Sequence, residues 1–330
     1  MLNNKSILIT GGTGSFGHSF VRYILENYKP ARIIIYSRDE YKQFLMRNQF
    51  MEHDSIMRYF IGDVRDEQRL KMAMRNVDYV VHAAALKQVP ACEYNPNEAI
   101  KTNINGAMNV ITAALDAGVK KVVALSTDKA VNPINLYGGT KLVSDKLFCA
   151  ANAYSGVSGT TFSVVRYGNV AGSRGSVIPF FRDLIEKGVS ELPITDFRMT
   201  RFWISLYEGV QTVIKALEQS YGGETFITKI PSFNVVDLAE AMLPGCTKKQ
   251  VGIREGEKLH EIMITAEDSA RTYEYDRHYI IYPNYSWCGK GRIIAGGKLV
   301  EPGFEYRSDR NSEWLDVDAL RKKLATDIEH

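Results

Sequence analysis

The chain has 330 residues, of which 45% are hydrophobic and 24% charged, which is typical of a folded globular protein with one large or two ordinary domains. Its net charge of +3 is too small to indicate a nucleic-acid-binding protein, and no basic stripe interleaved with aromatic residues supports one. The N-terminal apolar run, residues 7–9, is too short for a signal peptide or a membrane span, so we expect a cytoplasmic protein.

Apolar runs alternate with amphipathic stretches through the first half of the chain. Short strands rich in Ile and Val, separated by helices, predict βαβ units and a Rossmann-like, doubly wound parallel α/β sheet that is buried on both faces. The predicted strands are 6–10, 32–37, 57–61, 79–83, 121–126 and 161–165, and the predicted helices include 16–28, 97–117 and 137–154.

The alternation weakens after Gly168, where shorter elements with more Gly and Pro follow. We predict that residues 1–168 form a dinucleotide-binding domain and that 169–330 form mainly a smaller α/β substrate-binding region. A helix at 206–220 and a strand at 224–230 are expected to return residues 205–230 to the first sheet.

The first predicted strand runs into "ITGGTGSFG", a G-x-x-G-x-x-G turn that opens a helix. Glycines let the backbone turn tightly and approach a pyrophosphate, which is then bound by the free amide groups of the helix N-terminus. This turn predicts dinucleotide binding. The residues assigned to it are Gly11, Thr13, Gly14, Ser15, Phe16 and Gly17.

The choice of dinucleotide depends on "YSRDE" at the end of the second strand. Ser37 and Arg38 suit a 2′-phosphate, because a guanidinium binds phosphate through two N–H groups, so we expect NADP. Asp39 and Glu40 either join this site, together with Lys42, or are the first acidic residues of the next helix.

The third strand is followed by "GDVRD". Asp63 and Val64 stand where the edge and face of an adenine could be held. Arg65 and Asp66 are equally consistent with a turn and a helix N-cap.

Tyr137 and Lys141 in "NLYGGTK" are four residues apart on one helix face, one strand after Ser126. A neighbouring ammonium lowers the pKa of a phenol, so Lys141 can turn Tyr137 into a base for a substrate hydroxyl while also binding the cofactor ribose. Ser126 is expected to supply the accompanying hydroxyl, with Thr127 as a possible second contact. These residues predict oxidation of a substrate alcohol.

Asp128 and Lys129 in "STDKA" are not needed for oxidation alone. They are either a surface ion pair or part of the site. Their position at the carboxyl end of the fifth strand favours the site, because ligands of doubly wound sheets bind at that edge.

The stretches "TGGTGSFG", "YSRDE", "GDVRD", "STDKA", "NLYGGTK" and "REGEKLHE" together resemble the extended short-chain dehydrogenases that act on nucleotide sugars. Within them the chain is similar to the inverting 4,6-dehydratases of UDP-N-acetylglucosamine that open pseudaminic acid synthesis. Ordinary 4,6-dehydratases carry an Asp-Glu pair in place of Asp128 and Lys129, and simple epimerases carry neither. The resemblance also implies a homo-oligomer.

The resemblance implies a reaction in which a 4-ketone forms first and makes the carbon-5 proton acidic. Lys129, as a neutral amine, would remove that proton, and Asp128 would protonate the departing 6-hydroxyl. Burial and nearby cations are expected to depress the pKa of Lys129 for this purpose. Hydride then returns to carbon 6, and reprotonation of carbon 5 on the opposite face inverts it.

Further residues are assigned by position or by resemblance. Ala83, Ala84 and Ala85 are small enough to let the cofactor pass, His82 is a packed strand residue, and Lys87 lies at the mouth of the site. The resemblance implies that Asn169 contacts the substrate and that Val170 packs by the nicotinamide. The candidate UDP contacts are Arg174, Thr195, Arg201 and Arg254, with Glu257 expected to pair with Arg254.

No metal is expected. His260 and Glu261 begin an H-E-x-x-H pattern, but Ile264 replaces its second histidine. The four cysteines lack zinc or disulfide spacing and are read as reduced thiols.

The rival enzymes are a 4-epimerase and a retaining dehydratase on the same substrate. A catalytically silent NADP-binding regulatory protein is the alternative from another class. The intact set of Ser126, Tyr137 and Lys141 speaks against it.

Overall fold

The computed structural model describes residues 1–156, 159–173, 175–284 and 292–327. Its strands are β1 (Ser6–Thr10), β2 (Arg32–Ser37), β3 (Met57–Ile61), β4 (Tyr79–His82), β5 (Lys121–Thr127), β6 (Thr161–Tyr167), β7 (Glu191–Ile194), β8 (Thr200–Phe202), β9 (Thr225–Thr228), β10 (Ser232–Asn234), β11 (Thr247–Gln250), β12 (Ile262–Ile264), β13 (Thr272–Glu274), β14 (His278–Ile281), β15 (Lys298–Leu299) and β16 (Tyr306–Arg307). Its α-helices are α1 (Ser15–Asn27), α2 (Glu40–Gln49), α3 (Glu67–Ala73), α4 (Val89–Tyr94), α5 (Pro96–Ile100), α6 (Gly106–Asp116), α7 (Leu136–Ala151), α8 (Val177–Glu186), α9 (Leu206–Gln219), α10 (Val235–Met242) and α11 (Val317–Asp327).

A sheet in the order β15-β13-β14-β9-β6-β5-β4-β1-β2-β3 forms the centre of the fold. The pairs from β3 to β9 are parallel, and β13, β14 and β15 extend the sheet by antiparallel pairing. The strand order reverses between β1 and β4, which opens a crevice at the carboxyl ends of these strands. This confirms the predicted doubly wound α/β fold.

The six predicted strands are present, and the first three have the predicted bounds. The fourth ends one residue early, at His82, while the fifth continues to Thr127 and the sixth to Tyr167. The predicted helix 97–117 is interrupted by a π-helical turn at Lys101–Asn105, between α5 and α6. The interruption places the side chain of Asn103 in hydrogen bonds with both backbone groups of Leu86 and with Thr140.

The centre of the sheet is buried on both faces because its strands, such as β1 and β4, consist almost entirely of apolar residues. All five residues of β1 are buried, and alternate side chains enter two separate cores. Helices α1 and α9 pack together on one face, and α3 and α6 on the other. Burying each of these Ile or Val side chains stabilises the fold by roughly 1.5–3 kcal/mol.

The later part of the chain is divided between the sheet and a smaller region. Strand β9 lies beside β6 in parallel, next to α9, as the sequence predicted for this segment. Three short sheets, β7 with β11, β8 with β10 and β12 with β16, accompany a third core around Trp203 and Phe233. The division of the chain into 1–168 and 169–330 stays a prediction.

Within the described residues, no helix is long and apolar enough to cross a membrane. Cys92 and Cys246 are free thiols, and Cys288 lies outside the described ranges.

Candidate active site

The turn after β1 passes so close to the loop after β4 that position 11 requires glycine. Gly11 has a φ of +67°, and a Cβ there would lie 2.9 Å from the backbone of Ala84. Helix α1 begins after Gly14 without a side-chain cap, so its first amide groups are available to an anion. This cradle fits the pyrophosphate of a dinucleotide. The other predicted residues of the turn differ in exposure: Thr13 and Gly17 are buried, Phe16 is half-buried, and Ser15 is exposed.

The end of β2 exposes Arg38, whose guanidinium lies 3.7 Å from the Asp63 carboxylate. Asp39 caps α2 by accepting a 3.0 Å hydrogen bond from the backbone N–H of Lys42, which confirms that it begins the next helix. Glu40 and Lys42 lie exposed in the first turn of that helix. Arg38 is therefore the residue here whose charge best suits a phosphate.

Two predicted residues near this corner are engaged with the protein. The buried hydroxyl of Ser37 accepts a 3.0 Å hydrogen bond from Gln43. Asp63 accepts hydrogen bonds of 2.9 and 2.7 Å from the guanidinium of Arg65; burial opposes ionisation, but Arg65 and Arg38 hold the pKa of Asp63 below its ordinary value. Val64 is buried. An adenine edge would meet an ionised carboxylate.

One predicted N-cap, Asp66, and one predicted packed residue, His82, are confirmed near the cofactor edge. Asp66 caps α3 through a 2.9 Å hydrogen bond from the N–H of Arg69. His82 is buried, with Nδ1 2.8 Å from Thr10 Oγ1, and burial lowers its pKa to about 3. The N–H of Ala84 donates to the same Thr10 hydroxyl at 3.3 Å, which binds the loop after β4 to β1.

Helix α7 carries Tyr137 and Lys141 into the interior. It begins at Leu136 because Asn135 caps it, accepting a 2.7 Å hydrogen bond from the N–H of Gly138. A Cβ on Gly138 would lie 2.1 Å from the carbonyl oxygen of Lys129. Glycine at this position therefore lets the turn that carries Lys129 pack directly against the helix, beside Tyr137.

The pKa of Tyr137 differs from the expectation. Burial raises it to about 12, and the charge that opposes this rise is that of Lys129 rather than Lys141. Lys141 is buried, which lowers its own pKa, and the charge of Asp145 opposes this effect. Within the protein, Tyr137 is therefore a neutral phenol whose ionisation is assisted by Lys129.

The hydroxyl group beside Tyr137 belongs to Thr127, which corrects the assignment of Ser126. Successive residues of a strand point to opposite faces, and Ser126 Oγ donates a 2.6 Å hydrogen bond to Asp145. The hydroxyl of Thr127 is in hydrogen-bond contact with Tyr137 and donates to Asp128 Oδ1 at 2.9 Å. Asp145 in turn lies 3.6 Å from Arg166, in a buried group that the sequence did not reveal.

Lys129 lies at the centre of the candidate site. Its Nζ is 2.8 Å from Asn169 Oδ1, 3.1 Å from Asp128 Oδ1 and 3.6 Å from Glu261 Oε1. Burial alone would lower the pKa of Lys129, but the charges of Asp128 and Glu261 raise it above its ordinary value. The expectation of a depressed pKa is therefore wrong, because these contacts are with anions and an amide. Asn169, a predicted substrate contact, orients this lysine.

The two carboxyl groups beside Lys129 are in different states. Asp128 is fully buried, and its Oδ2 has no hydrogen-bond partner among the described residues; burial, and then the charge of Glu261, raises the pKa of Asp128. Burial would also raise the pKa of Glu261, but Lys129, Arg201 and Lys258 lower it. Asp128 is therefore the carboxyl group of the two that takes up a proton more readily.

Glu261 is the residue that sequence reasoning missed, having treated it only as part of an incomplete zinc pattern. Its backbone N–H donates to Ser308 Oγ at 2.9 Å, and its carbonyl accepts from the N–H of Ser308 at 2.9 Å. These bonds fix it beside the turn of Asp128 and Lys129. The acidic residue that ends "REGEKLHE" was the available signal, since that stretch carried part of the resemblance.

Arg201, a predicted UDP contact, is buried and fully engaged. Its guanidinium donates to the carbonyl oxygens of Thr200, Leu259 and Lys258 at 2.8, 3.1 and 3.0 Å. It also lies 3.4 Å from Glu257 and 3.7 Å from Glu261. Arg201 therefore orients two carboxylates, which argues against a direct bond to a diphosphate.

The other predicted contacts are spread around the crevice. The expected pair of Arg254 with Glu257 is wrong, because Glu257 pairs with Arg201 and the Arg254 guanidinium lies over the ring of Phe180, 5.9 Å from its centroid. Val170 forms an isolated parallel β-bridge with Ile204. Exposure varies among the rest: Ala83 and Thr195 are half-buried and Ala85 and Lys87 are exposed. Arg174 lies outside the described residues.

Comparison with known proteins identifies one family and several relatives of this chain. The family described as "Polysaccharide biosynthesis protein" matches residues 7–283. The chain is 57% identical over 336 residues to a "UDP-N-acetylglucosamine 4,6-dehydratase (inverting)" of Campylobacter jejuni, with 100% of this chain and 99% of that protein covered. It is 44% identical over 341 residues to a "UDP-glucose 4-epimerase" of Rickettsia prowazekii, with coverage of 99% and 97%.

Solved structures agree on the fold. Pen from Bacillus thuringiensis has a TM-score of 0.90 at 40% identity, over 98% of each chain. DesIV from Streptomyces venezuelae, a dTDP-glucose 4,6-dehydratase solved with NAD and TYD bound, has a TM-score of 0.68 at 25% identity, over 77% of this chain and 86% of DesIV. The chain therefore shares a Rossmann-like fold with nucleotide-sugar dehydratases.

Proposed function

Because the chain belongs to the polysaccharide biosynthesis protein family, we propose that it is an inverting UDP-N-acetylglucosamine 4,6-dehydratase. The observation that carries the proposal is the pair of a fully buried Asp128 and a partly buried Lys129, 3.1 Å apart, beside Tyr137. The relative at 57% identity, with nearly complete coverage, supports the same substrate and reaction. The product would be UDP-2-acetamido-2,6-dideoxy-β-L-arabino-hex-4-ulose, and its formation would be the first step of pseudaminic acid synthesis.

The second candidate is a 4-epimerase, which the relative at 44% identity represents. An epimerase moves hydride at carbon 4 and has no leaving hydroxyl to protonate. A fully buried carboxyl group with a raised pKa, Asp128, is suited to give that proton and therefore favours dehydration. The same buried groups also support an enzyme over a silent regulatory protein.

The proposed cofactor is NADP, which when bound supplies a hydride acceptor for carbon 4 and the hydride for carbon 6. The glycine turn at Gly11 and Gly14 would hold its pyrophosphate, and Arg38 its 2′-phosphate. Lys141, one helical turn after Tyr137, would bind the ribose. The solved relative DesIV has NAD, so the 2′-phosphate assignment depends on Arg38.

Tyr137 would accept the proton of the 4-hydroxyl in the first step. Its pKa of about 12 within the protein means that the proton moves as the alcohol is oxidised, not before. The charge of Lys129 stabilises the phenolate side of this transfer, and the neighbouring Thr127 hydroxyl also lowers the pKa of Tyr137.

Elimination would then use Asp128 and Lys129 together. Asp128 gives its proton to the departing 6-hydroxyl, which leaves as water, and Lys129 takes the proton of carbon 5. Because Lys129 is an ammonium at rest, its Nζ first passes one proton to Asp128 Oδ1 at 3.1 Å. This transfer makes Lys129 the neutral base and Asp128 the acid. Return of a proton to the opposite face of carbon 5 would invert it.

The test is incubation with UDP-N-acetylglucosamine in deuterated water, followed by NMR of the product. We expect a 4-keto-6-deoxy sugar with deuterium at an inverted carbon 5, formed with at most a trace of added NADP⁺ and without accumulation of NADPH. A 4-epimer that retains its 6-hydroxyl would indicate an epimerase, and an uninverted carbon 5 a retaining dehydratase. NADPH formed in step with product would indicate a simple dehydrogenase. We also expect a homo-oligomer, and light scattering would measure its mass in solution.

A further inference from the structure

We propose that Glu261 is a positioning residue that, as the anionic partner of Lys129, sets the pH range in which Asp128 and Lys129 have the proton arrangement needed for elimination. This inference rests on the proposed dehydratase function. It assigns a role to the C-terminal part of the chain, which supplies Glu261.

The geometry makes Glu261 part of a closed group of charges. It is 2% exposed, and its Oε1 lies 3.6 Å from Lys129 Nζ and 3.7 Å from Arg201 Nε. Its Oε2 is buried without a hydrogen-bond partner in the part of the chain that the structure describes. A buried carboxylate between two cations is strongly coupled to them, because little water screens the interaction.

The carboxylate is also held in place through its backbone. Ser308 pairs with both backbone groups of Glu261, and the hydroxyl of Ser308 lies 2.7 Å from that of Thr200 on β8. Thr200 is the neighbour of Arg201, so the same strand positions the second cation. Glu261 therefore has a fixed relation to Lys129.

The charged and titratable groups around Asp128 come from four parts of the fold. Lys129 adjoins it, Tyr137 faces it from α7, Glu261 faces it from the residue before β12, and Lys258 acts on it from the preceding loop. Arg201 on β8 faces Glu261 and Lys129. Two carboxyl groups thus share one lysine, and Glu261 has additional cations that keep it ionised.

The sign of the effect follows from removing one negative charge. Without Glu261, the ionised form of Asp128 is no longer repelled, so the pKa of Asp128 falls. The ammonium form of Lys129 loses an attractive partner, so its pKa falls as well. Both limbs of a bell-shaped pH–rate profile then move to lower pH, and each limb belongs to the coupled group rather than to one residue.

The experiment compares pH–rate profiles for dehydration of UDP-N-acetylglucosamine at saturating NADP⁺. For Glu261→Gln, which keeps the shape and removes the charge, we expect both limbs to move down by about 1–3 pH units. Glu261→Asp withdraws the carboxylate from Lys129 by one methylene and should move the limbs less, in the same direction. Glu274→Gln breaks a half-exposed ion pair with Lys229 on another face and should leave them unmoved.

A merely structural role would lower the rate at every pH without moving the limbs, and that result overturns the proposal. NADP⁺ affinity and thermal unfolding identify a variant that fails to fold; if Glu261→Gln fails, an unmoved profile for Glu261→Asp overturns it instead. Wild-type protein without dehydratase activity contradicts the proposed function, whereas an active wild type with unmoved variant limbs contradicts only the role of Glu261.

Discussion

The turn after β1 and the pocket around Lys129 lie at the same edge of one sheet, but they are built in different ways. The turn is a run of consecutive residues whose backbone conformation forms the binding surface, as with Gly11 at a φ of +67°. The pocket combines side chains from distant segments, since Asn169 and Glu261 both contact Lys129. A site that depends on backbone shape can therefore be predicted from consecutive residues, whereas a site that depends on charge balance can be recognised only in the folded chain.

The two lysines of the site show what charge balance does. Burial lowers the pKa of Lys141, as it does for any lysine removed from water. Lys129 is partly buried, yet its pKa is raised, because Asp128 and Glu261 lie within 3.1 and 3.6 Å of its ammonium group. The lysines should therefore serve different steps, and the same substitution at each should fail differently.

The largest expected effect is that of Lys129→Met, which keeps the apolar stem and removes the amine. We expect NADP⁺ and UDP-N-acetylglucosamine to bind, while dehydration falls by about 10²–10⁴-fold because the general base is lost. Exchange of the carbon-5 proton with deuterated solvent should stop. Binding by calorimetry and exchange by NMR measure these results separately.

Lys141→Met is the matched control, since it removes the more deeply buried ammonium one helical turn after Tyr137. It should weaken NADP⁺ binding and slow the first oxidation together. Near-normal dehydration by Lys129→Met, or the same pattern of loss in both variants, would contradict the division of roles between the lysines.

The next comparison separates the two adjacent hydroxyls at the end of β5. Thr127→Val removes the hydroxyl that contacts Tyr137 and Asp128, with little change of shape. Loss of an interaction worth about 1.5–3 kcal/mol in the proton transfer should lower kcat by about 10–150-fold. Ser126→Ala instead leaves Asp145 without its 2.6 Å donor and should lower stability by about 1–3 kcal/mol with a smaller effect on kcat. Steady-state rates and thermal unfolding decide; a larger loss of kcat in Ser126→Ala would restore the original assignment.

Ser126 and Thr127 also show which features of the site could be predicted from the sequence and which could not. The strands and the glycine turn were predictable because apolar alternation and glycine spacing are local properties. Which of two neighbouring hydroxyls faces Tyr137 depends on the end of β5, which extends to Thr127, one residue beyond the predicted bound. The pKa of Lys129 was predicted with the wrong sign because the adjacent Asp128 and, through tertiary packing, Glu261 both lie against its ammonium group.

Arg38→Ala tests the cofactor edge, where local sequence was most informative. Only NADP⁺ has a 2′-phosphate for the guanidinium, so its affinity should fall by roughly 1.5–3 kcal/mol, or about 10–150-fold. NAD⁺ binding is the internal control and should change little. The half-exposed side chain, 3.7 Å from Asp63, has no structural role that would mimic this selectivity. Equal losses for both cofactors in a binding titration would contradict the assignment.

The smallest expected effect concerns the contact of α7 with the turn of Lys129, which is the packing of Gly138 on the carbonyl of Lys129. A Cβ at position 138 would lie 2.1 Å from that oxygen, so Gly138→Ala must push the turn of Lys129 away from α7. Overpacking of this kind typically costs about 1–3 kcal/mol of stability, measured by urea unfolding. Displacement of Lys129 should also lower the dehydration rate.

The neighbouring glycine provides a matched control on the same helix. A Cβ on Gly139 meets no atom within 4 Å, so Gly139→Ala should leave stability unchanged or raise it by up to about 0.5–1 kcal/mol, because alanine favours the helix. The contrast between adjacent positions isolates the contact with Lys129 from helix propensity. Equal stability of the two variants would show that the turn of Lys129 adjusts freely, and the pocket would then be less rigid than its buried charges require.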